Sequence, residues 1–377
     1  MEQAGPQRIS VNLVSETVGG TTGHGVHTAF TQTLEALTRA GIDVRVNSTE
    51  PCDITHVETM GPAGLKALLA AKGRAVVTAH IVPESLVGSF AFARAWLPIA
   101  RTYIRFFYSR ADLVLAVSPA VADGLARMGI DVPIRVVPNA IDLERFRPRT
   151  EWRAEVRDSL GIPNDAFVAI STGQVQPRKG VDTFVRAAKQ CPEVTFLWLG
   201  GMPFKALTAG FRQMMRATKH VPGNCRFLGQ VEHEKVPRYL AAADCLLFPS
   251  RQETFGFSII EAAAAGLPLV LRDLDVYRPL FGDAYIACDE DGFASAVRRL
   301  ATDPALRADY AARARSMSER YGLGPHAEGL VAAYRWLLAG YEATTSPATY
   351  RLPVHSTPEE ESRRAASTAV ATEDSTA

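Results

Sequence analysis

SRQETFGFSIIEAAAAGLP, residues 250–268, follows the apolar run ADCLLF and passes from a polar loop into a small-residue helical pattern. That change of period marks a strand-to-helix junction. Glu253 and Glu261 stand on either side of Gly256. A helix start exposes backbone N–H groups that suit anionic or polyhydroxylated ligands, and carboxylates accept hydrogen bonds from sugar hydroxyls. The junction points to a ligand that is part phosphate and part sugar. An ordinary loop with a solvated Glu253 and a helix-start Glu261 fits the same letters.

Around this junction, short aliphatic runs alternate with longer helical patterns, the signature of βα units and parallel sheets. The spacing predicts strands over 9–14, 44–46, 54–56, 75–79, 113–117 and 134–137. Prolines and charges then break the rhythm, and it resumes with strands over 168–171, 195–199, 226–228, 245–248, 269–271 and 285–287. The fold class expected is α/β, two doubly wound open-sheet domains facing across a cleft. The boundaries expected are an N-terminal acceptor-side domain over 1–145, a linker over 146–165, a C-terminal nucleotide-sugar-binding domain over 166–340 and a disordered tail over 345–377.

The 377 residues, 47% hydrophobic, suffice for two cores. With 41 basic and 40 acidic side chains the formal charge is +1, so no global field attracts nucleic acid. The five cysteines are scattered without close pairs, which argues for a reducing cytoplasm and against a disulfide or metal framework. No apolar run is long enough to span a bilayer.

In the second half, STGQVQPRKG over 171–180 follows a strand and precedes a helix. Arg178 and Lys179 can aim positive charge at phosphates there, with Gly173 and Gly180 easing the turns. A solvated basic loop is the bland alternative. The segments 200–204, GGMPF, and 229–231 end two further strands and suit a flat slot for a nucleobase or a plain turn.

These residues together resemble the retaining glycosyltransferases of family 4, which have the GT-B fold. The resemblance runs from about residue 9 to 340 and rests most on Glu253, the seven residues after it and Glu261, and also on VPNAID over 137–142. By that resemblance Glu261 holds the donor ribose, Glu253 the transferred sugar, and backbone groups at Gly256 and Phe257 orient sugar and diphosphate. Lys179 matches the family's diphosphate-binding lysine. The chain departs from the pattern at Gln174, where the family usually has arginine, and Arg178 is the candidate to supply the missing charge. The resemblance implies catalysis without a metal or other cofactor.

His80 follows the strand 75–79 and matches a family histidine that touches the donor sugar and the reaction centre. His24 and His27 lie in GGTTGHGVHTAF, where Gly25 and Val26 are the candidates for backbone contacts to donor and acceptor. RAWLPIARTYIRFFYSR over 94–110 predicts a helix, regular over 97–108 after Pro98. At 100° per residue, Trp96, Ile99, Tyr103 and Phe106 share one face, and Arg94, Arg101 and Arg105 the opposite one. The aromatic face can pack on the sheet with the arginines in water, or the helix can lie on an anionic membrane with the arginines snorkelling.

Within the family, the chain looks most like bacterial diacylglycerol glucosyltransferases. That implies a retaining transfer of a hexose, with glucose expected, from a nucleotide diphosphate sugar such as UDP-glucose to a diacylglycerol-type lipid. It also implies a peripheral place on the inner face of the cell membrane. The alternatives are mannosyl or glucosyl transfer to a phosphatidylinositol-like lipid or a soluble polysaccharide, or a non-catalytic sugar-nucleotide-binding protein.

Overall fold

The computed structural model describes residues 9–18, 25–83, 93–202 and 211–340, with the side chains of 93–96 and 211–212 left aside. His24, the side chains of Arg94 and Trp96, Pro203, Phe204 and the tail over 345–377 lie outside the described residues. All twelve expected strands form, in two six-stranded parallel sheets. The first sheet holds β1 (Ser10–Val14), β2 (Asp43–Val46), β3 (Ile54–Val57), β4 (Arg74–Ala79), β5 (Leu113–Ala116) and β6 (Ile134–Val136). Their order is β2-β1-β3-β4-β5-β6. The second holds β7 (Val168–Thr172), β8 (Thr195–Leu199), β9 (Cys225–Gly229), β10 (Cys245–Phe248), β11 (Leu269–Arg272) and β12 (Tyr285–Cys288), ordered β12-β11-β10-β7-β8-β9. Strands such as LVLA of β5 and CLLF of β10 are buried along their whole length, because helices cover both faces of a parallel sheet.

Each sheet reverses its winding once, between β1 and β3 in the first and between β7 and β10 in the second. At such a point two neighbouring strands send their loops apart and leave a crevice at their carboxyl ends. The loops after β7 and β10 carry Lys179 and Glu253, and Glu58 directly follows β3. Sheet topology therefore concentrates the polar candidates at two crevices.

The helix Leu323–Leu338 follows the second sheet in sequence yet packs on the first. Leu330, Ala333, Tyr334 and Leu337 join Val11, Ile54, Val76 and Leu115 in one buried cluster. A backbone hydrogen bond of 2.9 Å from Ile141 to Tyr321 marks where the chain crosses back.

The stretch 146–165, read from the sequence as a linker, includes the helix Thr150–Ser159, which is anchored on the second sheet. Arg157 is fully buried there. Its Nε donates to the Ala242 carbonyl at 3.0 Å, its Nη1 to the carbonyls of Pro163, Asn164 and Ala166, and its Nη2 to Asp244 at 2.8 Å. Asp244 also accepts from the Val168 amide at 2.8 Å, so one guanidinium ties the segment to the starts of β7 and β10. Truncating one partner of a buried pair strands the other. Arg157→Met is therefore expected to cost about 3–5 kcal/mol, whereas Arg153→Ala, on the half-exposed neighbouring arginine, is expected to cost under about 1 kcal/mol. Urea unfolding followed by circular dichroism compares the two; equal midpoints would contradict this assignment.

Candidate functional site

The donor-side candidates gather at the crevice of the second sheet. After β7 the chain passes Gly173 and Gln174, makes a short turn at Pro177–Lys179, and enters the helix Val181–Gln190 through Gly180. Gly180 adopts φ +70°, and a methyl there would lie 2.2 Å from the Pro249 carbonyl. Only glycine lets the loop after β7 cross that close to the loop after β10.

Lys179 and Glu253 meet across these loops, with Nζ 2.5 Å from Oε1. Ser250 donates to the same carboxylate oxygen at 2.7 Å. Burial alone would raise the Glu253 carboxyl, but Lys179, Arg178 and these hydrogen bonds outweigh it and hold it below the usual range. Burial lowers the Lys179 ammonium, and Glu253 offsets part of that. Arg178 stands beside the pair, its Nε donating to Gln176 at 3.0 Å. Ser171, Thr172 and Gln176 at the end of β7 and Tyr277 carry buried polar atoms without a hydrogen-bond partner. That is a polar lining suited to an added ligand or water.

Gly256 starts the helix Phe257–Ala264 at φ +103°, and Glu261 is buried one turn in. His233, in a short turn after β9, faces Glu261 with Nε2 2.8 Å from Oε1. Sequence reading missed His233; its only signal is a histidine in the loop that follows the Gly229 strand end. The end of β8 meets the end of β9 through the Gly200 amide, which donates to the Gly229 carbonyl at 2.8 Å. From the first domain, a methyl on Gly25 would lie 3.8 Å from the Phe257 ring, so the helix starts at Gly25 and Phe257 face each other across the two sheets. Val26 follows on the same first turn. His27 bonds Thr17 at 3.0 Å.

At the first sheet's crevice His80 follows β4, and its Nε2 lies 2.6 Å from Glu58 Oε2. Sequence reading missed Glu58. It is fully buried among His56, Thr78 and His80. The signal lies in period two: His56 and Glu58 alternate on one strand, Thr78 and His80 on its neighbour, so all four side chains share one face. Tyr334 of the helix Leu323–Leu338 closes the group, its hydroxyl 2.6 Å from His56 Nδ1. His326 of the same helix bonds Thr33 at 3.1 Å and the Pro138 carbonyl at 2.7 Å.

The helix predicted over 97–108 runs Ala93–Tyr108 with Pro98 inside it. Its buried face is Ala100, Ile104, Phe107 and Tyr108. Neither the aromatic stripe nor the arginines form that face: Ile99 is 74% exposed, Tyr103 37% and Phe106 40%. Packing of the stripe on the sheet, one of the two sequence alternatives, is thereby corrected. Ala100 and Ile104 with the rings of Phe107 and Tyr108 form the buried face, and the stripe flanks them. Arg101 and Arg105 are exposed on the other flank. Tyr103 donates to the Met60 carbonyl at 2.5 Å, and Arg110 lies 4.6 Å over Phe106. The neighbouring helix Pro62–Ala70 adds Leu69, 62% exposed.

Among the described residues no helix is long and apolar enough to cross a membrane, and no three His, Cys, Asp or Glu side chains gather as a metal site.

With the geometry placed, known proteins give the context. A family model described as glycosyltransferase family 4 matches residues 45–145, and one described as glycosyl transferases group 1 matches 153–317. The chain is 31% identical over 322 residues to the alpha-galactosylglucosyldiacylglycerol synthase of Streptococcus pneumoniae, covering 83% of this chain and 85% of that protein. It is 28% identical over 254 residues to the processive diacylglycerol alpha-glucosyltransferase of Acholeplasma laidlawii, covering 67% and 75%. The fold superimposes on Anabaena HepE in complex with UDP-glucose with a TM-score of 0.69 at 18% identity, covering 87% of this chain and all of that one.

Burial pushes His326 down to about 4, so this imidazole stays neutral in the folded chain while it charges below about 6.5 when unfolded. Glu58 is likewise held below its ordinary value of 4.5: burial opposes this, but the hydrogen bond from His80 and the surrounding imidazoles prevail. Both folded values are depressed, so both contributions are complete above the unfolded values and are lost as pH falls. The urea midpoint is expected to hold from pH 8 to 7, then decline through the His326 window and again below pH 4.5. A midpoint flat from pH 7 to pH 4 would contradict it.

Proposed function

The chain belongs to the family 4 glycosyltransferases and is a retaining hexosyltransferase of the GT-B superfamily, and on that premise we propose that it moves glucose from UDP-glucose to a diacylglycerol-type lipid at the inner face of the cell membrane. One observation carries the acceptor half of this reading. The stripe Ile99, Tyr103 and Phe106 stands in solvent on a first-domain helix, with Arg110 4.6 Å over Phe106 and Arg101 and Arg105 exposed on the helix's other flank. Exposed apolar side chains rimmed by cations suit an anionic bilayer, which takes the rings into its interface and the guanidinium groups among its phosphates. The two relatives above, a galactosylglucosyldiacylglycerol synthase and a diacylglycerol glucosyltransferase, agree with a lipid acceptor.

The donor half rests on the loops after β7 and β10. Transfer needs negative charge stabilised on the leaving diphosphate and positive charge tolerated on the sugar ring. In this reading Lys179 and Arg178 face the diphosphate, with Gly173, Gln174, Gly25 and Val26 offering backbone or amide donors. Glu253 takes hydroxyls of the glucose, Glu261 the ribose hydroxyls, and the helix start at Gly256 and Phe257 orients both. A diphosphate arriving at Lys179 competes with Glu253 for the ammonium, and the freed carboxylate then accepts from the sugar. Phosphate and sugar binding are thereby linked through one ion pair. His80 faces the reaction centre from the first domain. The leaving phosphate helps remove the acceptor proton on the face it departs from, which keeps the anomeric configuration.

Vesicles of phosphatidylglycerol and diacylglycerol supply both surface and acceptor. With UDP-glucose, the wild type is expected to bind them and yield an α-glucosyldiacylglycerol, read by mass spectrometry and by the anomeric proton coupling. Ile99→Ala/Phe106→Ala is expected to lower vesicle binding about ten-fold or more while leaving the melting temperature unchanged. Unchanged vesicle binding, or product only on a soluble saccharide, would overturn the lipid reading. Arg178→Ala is expected to weaken UDP-glucose binding by calorimetry about ten-fold or more, as loss of a charged hydrogen-bond donor does. Unaltered affinity would remove Arg178 from the phosphate site and leave Gln174 uncompensated.

A further inference from the structure

The first sheet holds a carboxylate that the contacts to phosphate, ribose and glucose leave unused. Glu58 is 2% exposed, and a carboxylate buried so fully costs several kcal/mol unless donors surround it. Its surroundings are specific. Oε2 lies 2.6 Å from His80 Nε2, and Oε1 accepts a long 3.5 Å bond from the Thr78 hydroxyl. Thr78 Oγ1 lies 2.6 Å from His56 Nε2, and His56 Nδ1 lies 2.6 Å from the Tyr334 hydroxyl.

The direction of the bond to His80 follows from one fact. An ionised carboxylate only accepts. His80 must then carry its proton on Nε2. With the Thr78 hydroxyl turned toward the other carboxylate oxygen, Thr78 accepts from His56 Nε2, and His56 Nδ1 accepts from Tyr334. Burial agrees at each end, keeping His56 neutral and holding Tyr334 in its protonated form.

We propose that Glu58 is a positioning residue for the transfer reaction, holding His80 as its Nε2–H tautomer so that Nδ1 is the ring's one hydrogen-bond acceptor. Any hydroxyl that His80 fixes at the reaction centre is then held by accepting its proton at Nδ1. The inference rests on the reading of His80 given under Proposed function. A neutral partner at position 58 would satisfy packing but would leave the tautomer open, since an amide both donates and accepts. The charge is what selects one ring nitrogen.

The tautomer is read without substrate. In protein labelled with 15N-histidine, the resonances of His80 are identified by their loss in His80→Asn. The expected spectrum at pH 7.5 has a protonated Nε2 and an unprotonated Nδ1; the opposite tautomer or an imidazolium overturns the proposal. In Glu58→Gln whose circular dichroism matches wild type, the His80 signals are expected to report mixed tautomers. Its kcat is expected to fall about 10- to 100-fold with the KM for UDP-glucose little changed, and Glu58→Asp is expected to recover part of the loss. A folded Glu58→Gln with full kcat also overturns it. Where Glu58→Gln fails to fold, the wild-type spectrum decides. A wild type that forms no glycolipid yet holds the Nε2–H tautomer would sink the reading of the reaction and leave the assignment of Glu58 standing.

Discussion

A carboxylate kept ionised out of water must be surrounded by donors or a cation, and this structure meets that constraint at the winding reversal of each sheet. In the second sheet Glu253 sits against Lys179 and Ser250. In the first, Glu58 sits against His80 and Thr78. Both sites are crevices where parallel strands part, and backbone packing there leaves room for polar side chains that the sheet interior would exclude. Desolvation decides the rest. A lone carboxylate in either place would protonate, so each comes with a base whose own charge or tautomer it determines.

The two pairs differ in what they leave available. Lys179 and Glu253 neutralise one another, and in the proposed reading the ligand that parts them offers both an anion and hydroxyl donors. A nucleotide diphosphate sugar has both, and a simple phosphate has only the first. Glu261 is occupied in the same way by His233. Every carboxylate expected to touch the donor thus has a protein partner, which keeps buried charge from destabilising the second sheet. Glu58 is different because its donors are all protein groups and none need be displaced. It shapes the site without exchanging partners.

Most of the fold was legible from period alone, because buried parallel strands are short aliphatic runs and all twelve appear as such. The loops after β7 and β10 were legible too, since glycines, prolines and charges punctuate strand ends where side chains face a crevice. What escaped depends on adjacency between strands. THVE over 55–58 and VTAH over 77–80 each read as a strand with stray polar residues, and only the pairing of His56 with Val76 reveals that four polar groups share one face. His233 escaped for the same reason, since nothing local says that a loop after β9 reaches the helix after β10. The helix Ala93–Tyr108 misled in another way. Aromatic residues at helical spacing suggest a core face, but a different set, Ala100, Ile104, Phe107 and Tyr108, takes it and leaves Tyr103 and Phe106 exposed.

The helix Leu323–Leu338 makes the two domains interdependent. Without it the first sheet would expose Val11, Ile54 and Val76, and His56 Nδ1 would lose the Tyr334 hydroxyl. A buried acceptor left without its donor costs about 1–3 kcal/mol, on top of the apolar surface returned to water. The segment that completes the first core therefore also supplies the last hydroxyl of the polar row that runs behind Glu58 through Thr78 and His56.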